Sequence, residues 1–119
     1  MGLFRVVVSI RNPADPQRQR EVELLVDTGS LFTWLSANLL DELGIRPAEV
    51  RQFQTITGAM LDRRIGYALL SYDGRTGAAN VVFGEPGDMQ VLGVTALESL
   101  TVTADPVKQT LVPTVSLAV

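Results

Sequence analysis

Leu24-Leu25-Val26-Asp27-Thr28-Gly29-Ser30 is the stretch on which the reading of this chain turns. Three apolar residues run straight into an acid, and small residues follow. A strand buried through Val26 delivers Asp27 to the edge of the core. Gly29 permits a tight turn and the close approach of another backbone. Thr28 and Ser30 supply hydroxyls able to bond carboxylates and main-chain groups. Alone, Asp-Thr-Gly is also the pattern of a plain strand-end turn in which Asp27 caps its own backbone. Its surroundings decide between the two.

Upstream, Glu21 to Val26 alternates acid and apolar before turning fully apolar, as a strand entering a core does. Leu3 to Ile10 is a second, β-branched strand. Between them, Asn12-Pro13 opens a polar connection reaching Arg20, which predicts a hairpin with a long exposed tip. Downstream, Leu31 to Leu35 reads as a short strand. Ser36 suits a helix N-cap, Leu39, Leu40 and Leu43 follow at helical spacing, and Gly44 and Pro47 end the helix. Gln52 to Ile56 and Asp62 to Ser71 are strands around a turn at Thr57-Gly58-Ala59. Asp73-Gly74 is a strong hairpin signal leading into Gly77 to Phe83. Gly84 to Asp88 is a loop, Met89 to Leu92 a short strand, and Val94 to Leu100 a second short helix after Gly93. Thr101 to Thr103 and Thr110 to Val115 close the chain as strands around Asp105-Pro106. Many short strands with two small helices predict a β-rich domain of barrel or sandwich type.

Composition narrows the chemistry. The chain has 119 residues, 46% of them hydrophobic, with ten basic and thirteen acidic side chains and a net charge of −3. One domain over residues 1–119 is the expectation at this length. Nucleic acid is not an expected partner, because it calls for a basic face. Histidine and cysteine are both absent, which excludes histidine-based triads, thiol redox chemistry, disulfides and Cys/His zinc sites. A calcium or magnesium site made of carboxylates stays open. No stretch approaches the roughly 18 apolar residues of a membrane helix. Met1 to Ile10 carries Arg5 within its apolar run and no small-residue cleavage site, so a soluble cytoplasmic protein without a membrane partner is expected.

Taken in order, four features resemble the retropepsin-like aspartic proteases over nearly the whole chain. They are the apolar strand ending in Asp27-Thr28-Gly29-Ser30, a short helix ending in Leu43-Gly44, a hairpin with Gly58 at its tip, and Val91-Leu92-Gly93 followed by the helix Val94 to Leu100. The closing stretch, Ala104-Asp105-Pro106 with Leu111-Val112-Pro113, is more similar to small bacterial and archaeal members than to retroviral ones. The resemblance implies an all-β acid-protease fold, a closed β-barrel-type domain with one or two short helices.

It also implies an active site made of two carboxylates flanking one water. A chain carrying both would need roughly two to three times this length. The expectation is therefore a homodimer, Asp27 of each copy meeting on a two-fold axis and hydrolysing a peptide or protein substrate. Two carboxylates about 4 Å apart repel by roughly 4 kcal/mol at an effective dielectric near 20. That corresponds to about three pK units, so the pair is expected to share one proton. In the family, the Thr28 hydroxyl bonds across the axis, Gly29 meets the substrate backbone, and Ser30 bonds the outer oxygen of Asp27. The hairpin Gln54 to Ile65 takes the place of the family's flap, with Thr57, Gly58, Ala59 and Met60 nearest its tip. No metal or organic cofactor is implied.

Other residues receive plainer readings. Arg63 and Arg64 read as a solvated face, Trp34 as packing beneath the loop or helix, and Val91-Leu92-Gly93 as core support for the catalytic loop. Many retroviral members pair an Asp and an Arg where this chain has Leu31 and Val94, so its dimer base is expected to rest on apolar packing. Thr101 stands where relatives often have Gly. The terminal strands, Leu3 to Ile10 and Thr110 to Val115, are candidates for pairing between subunits. The competing readings are a catalytically inactive peptide-binding or dimerisation module of the same fold, and an unrelated β-barrel with an incidental Asp-Thr-Gly.

Overall fold

The first hairpin sets the frame. In the computed structural model, which describes residues 2–118 with side chains from Phe4 onward, β1 (Gly2–Asn12) pairs antiparallel with β2 (Asp15–Asp27). Met1 and Val119, the ends of the domain expected over 1–119, lie outside the described residues. Phe4, Val6, Val8 and Ile10 are buried while Arg5 and Val7 are exposed, the two-residue period of a half-buried strand. The expected long tip at residues 12–20 is instead a two-residue connection between paired strands. Asp15 to Arg20 is exposed throughout and lies in β2, with Ile10 opposite Arg20 and Arg11 opposite Gln19. No layer covers that stretch, so its polar sequence hid a strand. The turn is fixed by buried Asn12, whose Oδ1 accepts the Ala14 N–H at 2.8 Å and whose Nδ2 donates to the Leu43 carbonyl at 2.9 Å.

The remaining elements are β3 (Thr33–Ser36), α1 (Ala37–Glu42), β4 (Glu49–Gln54), β5 (Met60–Tyr72), β6 (Arg75–Gly84), β7 (Val91–Leu92), α2 (Val94–Leu100), β8 (Val102–Asp105) and β9 (Thr110–Pro113). Seven strands form one sheet in the order β1-β2-β7-β3-β6-β5-β4, and β1 also pairs with β5, so the ladder returns to its first strand. The fold is all-β with two short helices. β5 is long enough for two tasks. Residues 60–65 pair with β4 in a projecting hairpin, and residues 69–71 pair with β1 in the body. Asp73 and Gly74 both have positive φ, 49° and 79°, the type I′ geometry that matches strand twist in a two-residue hairpin.

Ser36 caps α1 as expected, its Oγ accepting the Leu39 N–H at 3.2 Å. The core fills the space between sheet and helices with Leu24, Val26, Leu35, Leu40, Leu70, Val81, Phe83, Leu92 and Leu100. β8 and β9 stand apart as a two-stranded sheet. Of the terminal strands suggested for pairing between copies, β1 is largely taken up by β2 and β5, and β9 pairs with β8. The expected strand to Val115 stops at Pro113.

Leu24 lies fully buried three residues before Asp27. Leu24→Ala is expected to lower unfolding free energy by about 2–5 kcal/mol through lost burial and a cavity. Denaturant titration measures it, and a loss under about 1 kcal/mol would mean that the site can collapse around the gap.

Candidate active site

Asp27 is the last residue of β2. The strand is buried through Val26, and Asp27 is partly buried while Thr28 and Gly29 are exposed. The chain turns at once. The Asp27 carboxylate accepts the Gly29 N–H at 2.9 Å, and its main-chain carbonyl accepts the Ser30 N–H at 3.1 Å. The plain reading of a self-capping Asp is thus physically realised, and it leaves the carboxylate at the domain's edge. This carboxyl lies below the usual carboxylate range. The chain's charged amino terminus is the largest cause, desolvation opposes it, and the Gly29 N–H adds to the lowering.

What holds the loop is a graft onto the start of α2. The Val94 N–H donates to the Ser30 carbonyl at 2.8 Å, and the Thr95 N–H to the Leu31 carbonyl at 3.0 Å. The Thr95 hydroxyl donates to that same Leu31 carbonyl at 2.9 Å. Helix N-termini leave their first N–H groups without intrahelical partners. Here Gly93 offers no side-chain cap, and the loop's carbonyls serve instead. The Gly93 N–H donates to Oγ1 of Thr33, which is fully buried. A Cβ on Gly93 would run into the carbonyls of Phe32 and Ser30, so the contact requires glycine.

Two apolar pockets flank this loop. One, of about 400 Å³, runs from Gly29 and Phe32 past Trp34 to Phe53, Thr55 and Leu61 on the β4–β5 hairpin. The other, of about 390 Å³, contains Asp27 and is walled by Leu25, Leu61, Asp88, Met89 and Val91. Ser30, Trp34 and Leu61 border both. The Phe53 ring meets Phe32 and Trp34 edge-on, with centroids 6.0 and 5.2 Å away. Such pairs are worth about 0.5–1.5 kcal/mol beyond area burial, and they tie the hairpin to the loop floor. The arrangement is a cleft with a carboxylate on one side and a hairpin presenting Phe53 and Leu61 along it.

The family model described as aspartyl protease matches residues 8–97. The chain belongs to the aspartyl protease family. The solution structure of Simian Foamy Virus (mac) protease is similar with a TM-score of 0.52, covering 78% of this chain and 92% of that one at 18% identity. That likeness establishes a retropepsin-like fold for this aspartyl protease. No curated protein matches the chain in sequence.

Of the family's expected site residues, Asp27, Thr28, Gly29 and Ser30 come together as one loop. Ser30 departs from its expected bond to Asp27, because its hydroxyl donates to the Phe32 carbonyl at 2.7 Å. Thr57, Gly58, Ala59 and Met60 are all exposed at the hairpin end. The turn is closed by Gly58 N–H to the Thr55 carbonyl at 2.9 Å and Thr55 N–H to the Ala59 carbonyl at 2.8 Å. None of the four borders either pocket; Phe53, Gln54, Thr55 and Leu61 do. Trp34 also moves from its expected place beneath the loop to the wall between the pockets. Phe53 had a sequence signal, an aromatic in the polar run Glu49 to Gln54, and it is the one residue of β4 that is not exposed. Among the described residues no three acidic side chains gather as a metal site would require.

Arg63 is the largest departure from the sequence reading. Its side chain is only 11% exposed and grips Asp88 with a two-pronged fork, Nε to Oδ2 at 2.8 Å and Nη2 to Oδ1 at 3.2 Å. Asp88 Oδ2 also accepts the Glu85 N–H at 2.8 Å. The Arg63 guanidinium holds the Asp88 carboxyl below its ordinary 3.8; desolvation opposes this and the Glu85 N–H assists. Arg64 does face outward, its guanidinium 4.9 Å from the Phe83 ring centroid.

Because the folded Asp88 value is depressed, its stabilisation is present above the unfolded value and lost as pH falls through the folded one. The stability gap between the wild type and Asp88→Asn should therefore be constant near neutrality and shrink as pH drops below 3.8. Urea titrations across acid pH measure it; a gap that stays flat into strong acid would contradict an ionised pair. Gly93→Ala should cost about 1–3 kcal/mol by forcing the loop and α2 apart. A thermal melt unchanged from wild type would show that the graft tolerates a side chain.

Proposed function

We propose that this aspartyl protease is a homodimeric endopeptidase, with a water activated between two copies of Asp27. The reading rests on one observation above all. The chain carries a single Asp-Thr-Gly loop, held by α2 yet with Thr28 and Gly29 exposed. Aspartic proteolysis needs a second carboxylate, and a second copy of the same loop supplies it with two-fold symmetry.

The chemistry follows from electrostatics. In a single chain the Asp27 carboxyl sits below its ordinary range, which favours its ionised form. A like carboxylate at about 4 Å raises the second ionisation by roughly three pK units. The dyad then holds one proton between about the usual carboxylate range and neutrality. The ionised oxygen takes a proton from the water as it attacks the peptide carbonyl. The protonated partner donates its proton to the developing oxyanion, and the carboxyl that took the water's proton passes it to the leaving amine. On this reading the hydroxyl of Thr28, which is exposed one residue past Asp27, bonds across the axis to the partner's backbone. The β4–β5 hairpin lies along the cleft, where an extended peptide would add its own strand-like hydrogen bonds. Apolar walls at Trp34, Phe53 and Leu61 suit apolar side chains of that peptide.

Asp27→Asn should abolish cleavage of an unfolded protein substrate in mildly acidic buffer. Mixing gives the sharper test. After subunit exchange, equal parts wild type and Asp27→Asn should retain about a quarter of the activity of the same total of wild type, because only dimers with two intact copies work. Retention of about a half would mean that each chain works alone. Undiminished cleavage by Asp27→Asn itself would leave the fold as a binding or dimerisation module with no hydrolysis at this loop.

A further inference from the structure

Arg63 and Asp88 lie 25 residues apart, and the expected architecture gave them no task. Asp88 reaches the wall of the pocket that contains Asp27, among Leu25, Trp34, Leu61 and Met89. An unmatched carboxylate there would make that pocket a receptor for a lysine or arginine side chain. It is not unmatched, because Arg63 enters from β5 and binds both of its oxygens. Glu85 lies 3.7 Å from the same guanidinium, and Asp62 is also near enough to act on it. One arginine thus pairs the Asp88 carboxylate beside the reactive one without itself bordering the pocket.

We infer that Arg63 is a specificity-determining residue, which by holding Asp88 in a fork closes the Asp27 pocket to basic side chains and reserves it for apolar ones. The inference rests on the cleft being where substrate binds, as proposed above. Its physical content is separate from hydrolysis. A charge already satisfied by the Arg63 fork and the Glu85 N–H gives little to a lysine, which would lose its hydration on entering. An apolar side chain gains from Leu25, Trp34, Leu61, Met89 and Val91 and leaves the Arg63–Asp88 fork intact. The fork matters as well as the charge, because a planar guanidinium covers both carboxylate oxygens and an ammonium does not.

The test uses a peptide series in which each position in turn carries Leu or Lys, near neutral pH. Wild type should prefer Leu at the position read by this pocket. Arg63→Gln should narrow the Leu-to-Lys ratio of kcat/KM by about tenfold or more. Asp88→Asn, which leaves only the Arg63 cation there, and Arg63→Gln combined with Asp88→Asn, which leaves neither charge of the pair, should keep or widen the wild-type preference for Leu, since neither leaves the Asp88 carboxylate unpaired. Loss of packing alone would affect Leu and Lys peptides alike in all three variants. An unchanged ratio in Arg63→Gln, or equal narrowing in the double variant, overturns the inference. Arg63→Lys guards against an Arg63→Gln chain that does not fold: it should give an intermediate ratio, and a wild-type ratio would count against the fork. Anisotropy binding of the same labelled peptides in an Asp27→Asn background separates the two proposals. Binding that follows the expected order while the wild type cleaves nothing refutes proteolysis and upholds the role of Arg63. If Arg63→Gln leaves the discrimination unchanged in that background, the role of Arg63 is refuted whatever the wild type cleaves.

Discussion

The graft between the Asp27 loop and the first turn of α2 is the constraint on which the site depends. A loop ending a buried strand would ordinarily leave its carbonyls to water, and a helix beginning with glycine would leave its first N–H groups unmatched. Here each deficit is the other's remedy. Ser30 and Leu31 offer carbonyls, Val94 and Thr95 offer N–H groups, and buried Thr33 receives the Gly93 N–H beneath them. Neither partner is complete without the other, so the position of Asp27 is fixed largely by backbone.

The sheet explains why these two distant segments meet. β2 runs parallel to β7, with Leu25 beside Val91 and Val26 beside Leu92. The ends of the two strands therefore arrive together, one carrying Asp27 and the other leading into Gly93. β3 returns from the loop to pair parallel with β6 and touches β7 at Trp34. The same step that closes the floor sets the Trp34 indole between the pockets. The β4–β5 hairpin is anchored at both sides of this floor, by Phe53 against Phe32 and Trp34, and by Arg63 on Asp88. One tether is apolar and indifferent to pH; the other is ionic and weakens in acid.

Much of this was legible in the sequence where chemistry is local. The cap at Ser36, the turn at Asp73-Gly74, the helix after Gly93 and the acid at the strand end, Asp27, each rest on a few neighbouring residues, and the structure places all four as read. The failures share a cause. Asp15 to Arg20 is a strand with no covered face, so no alternation marked it. Trp34 and Phe53 meet in a cleft formed by segments some twenty residues apart. Arg63 sits beside a second arginine on an alternating strand, which reads as a wet face until Asp88 is known to lie opposite. The Ser30 hydroxyl follows the local carbonyl of Phe32 rather than the family's expected partner. In most of these cases the deciding contact was long-range, and in all of them it was three-dimensional.

The replacement of a charged pair at the loop base bears on how two copies would meet. Leu31 is 61% exposed, and Val94 is partly buried beside the carbonyl that its own N–H bonds. Where retroviral relatives place an ion pair, this chain presents a leucine close to Thr28 and Gly29. A buried ion pair carries a desolvation cost that its attraction offsets only with good geometry, and apolar replacements are often as stable or more so. The exchange also changes how association responds to conditions. An ionic base would loosen in salt and in acid, whereas apolar burial is largely insensitive to both and strengthens with excluded salts such as sulfate. If two copies assemble as proposed, a dyad that must keep one proton works where carboxylates begin to titrate. A leucine in place of the ion pair suits that range, because the pH that charges the chemistry correctly would not at the same time dissolve this contact.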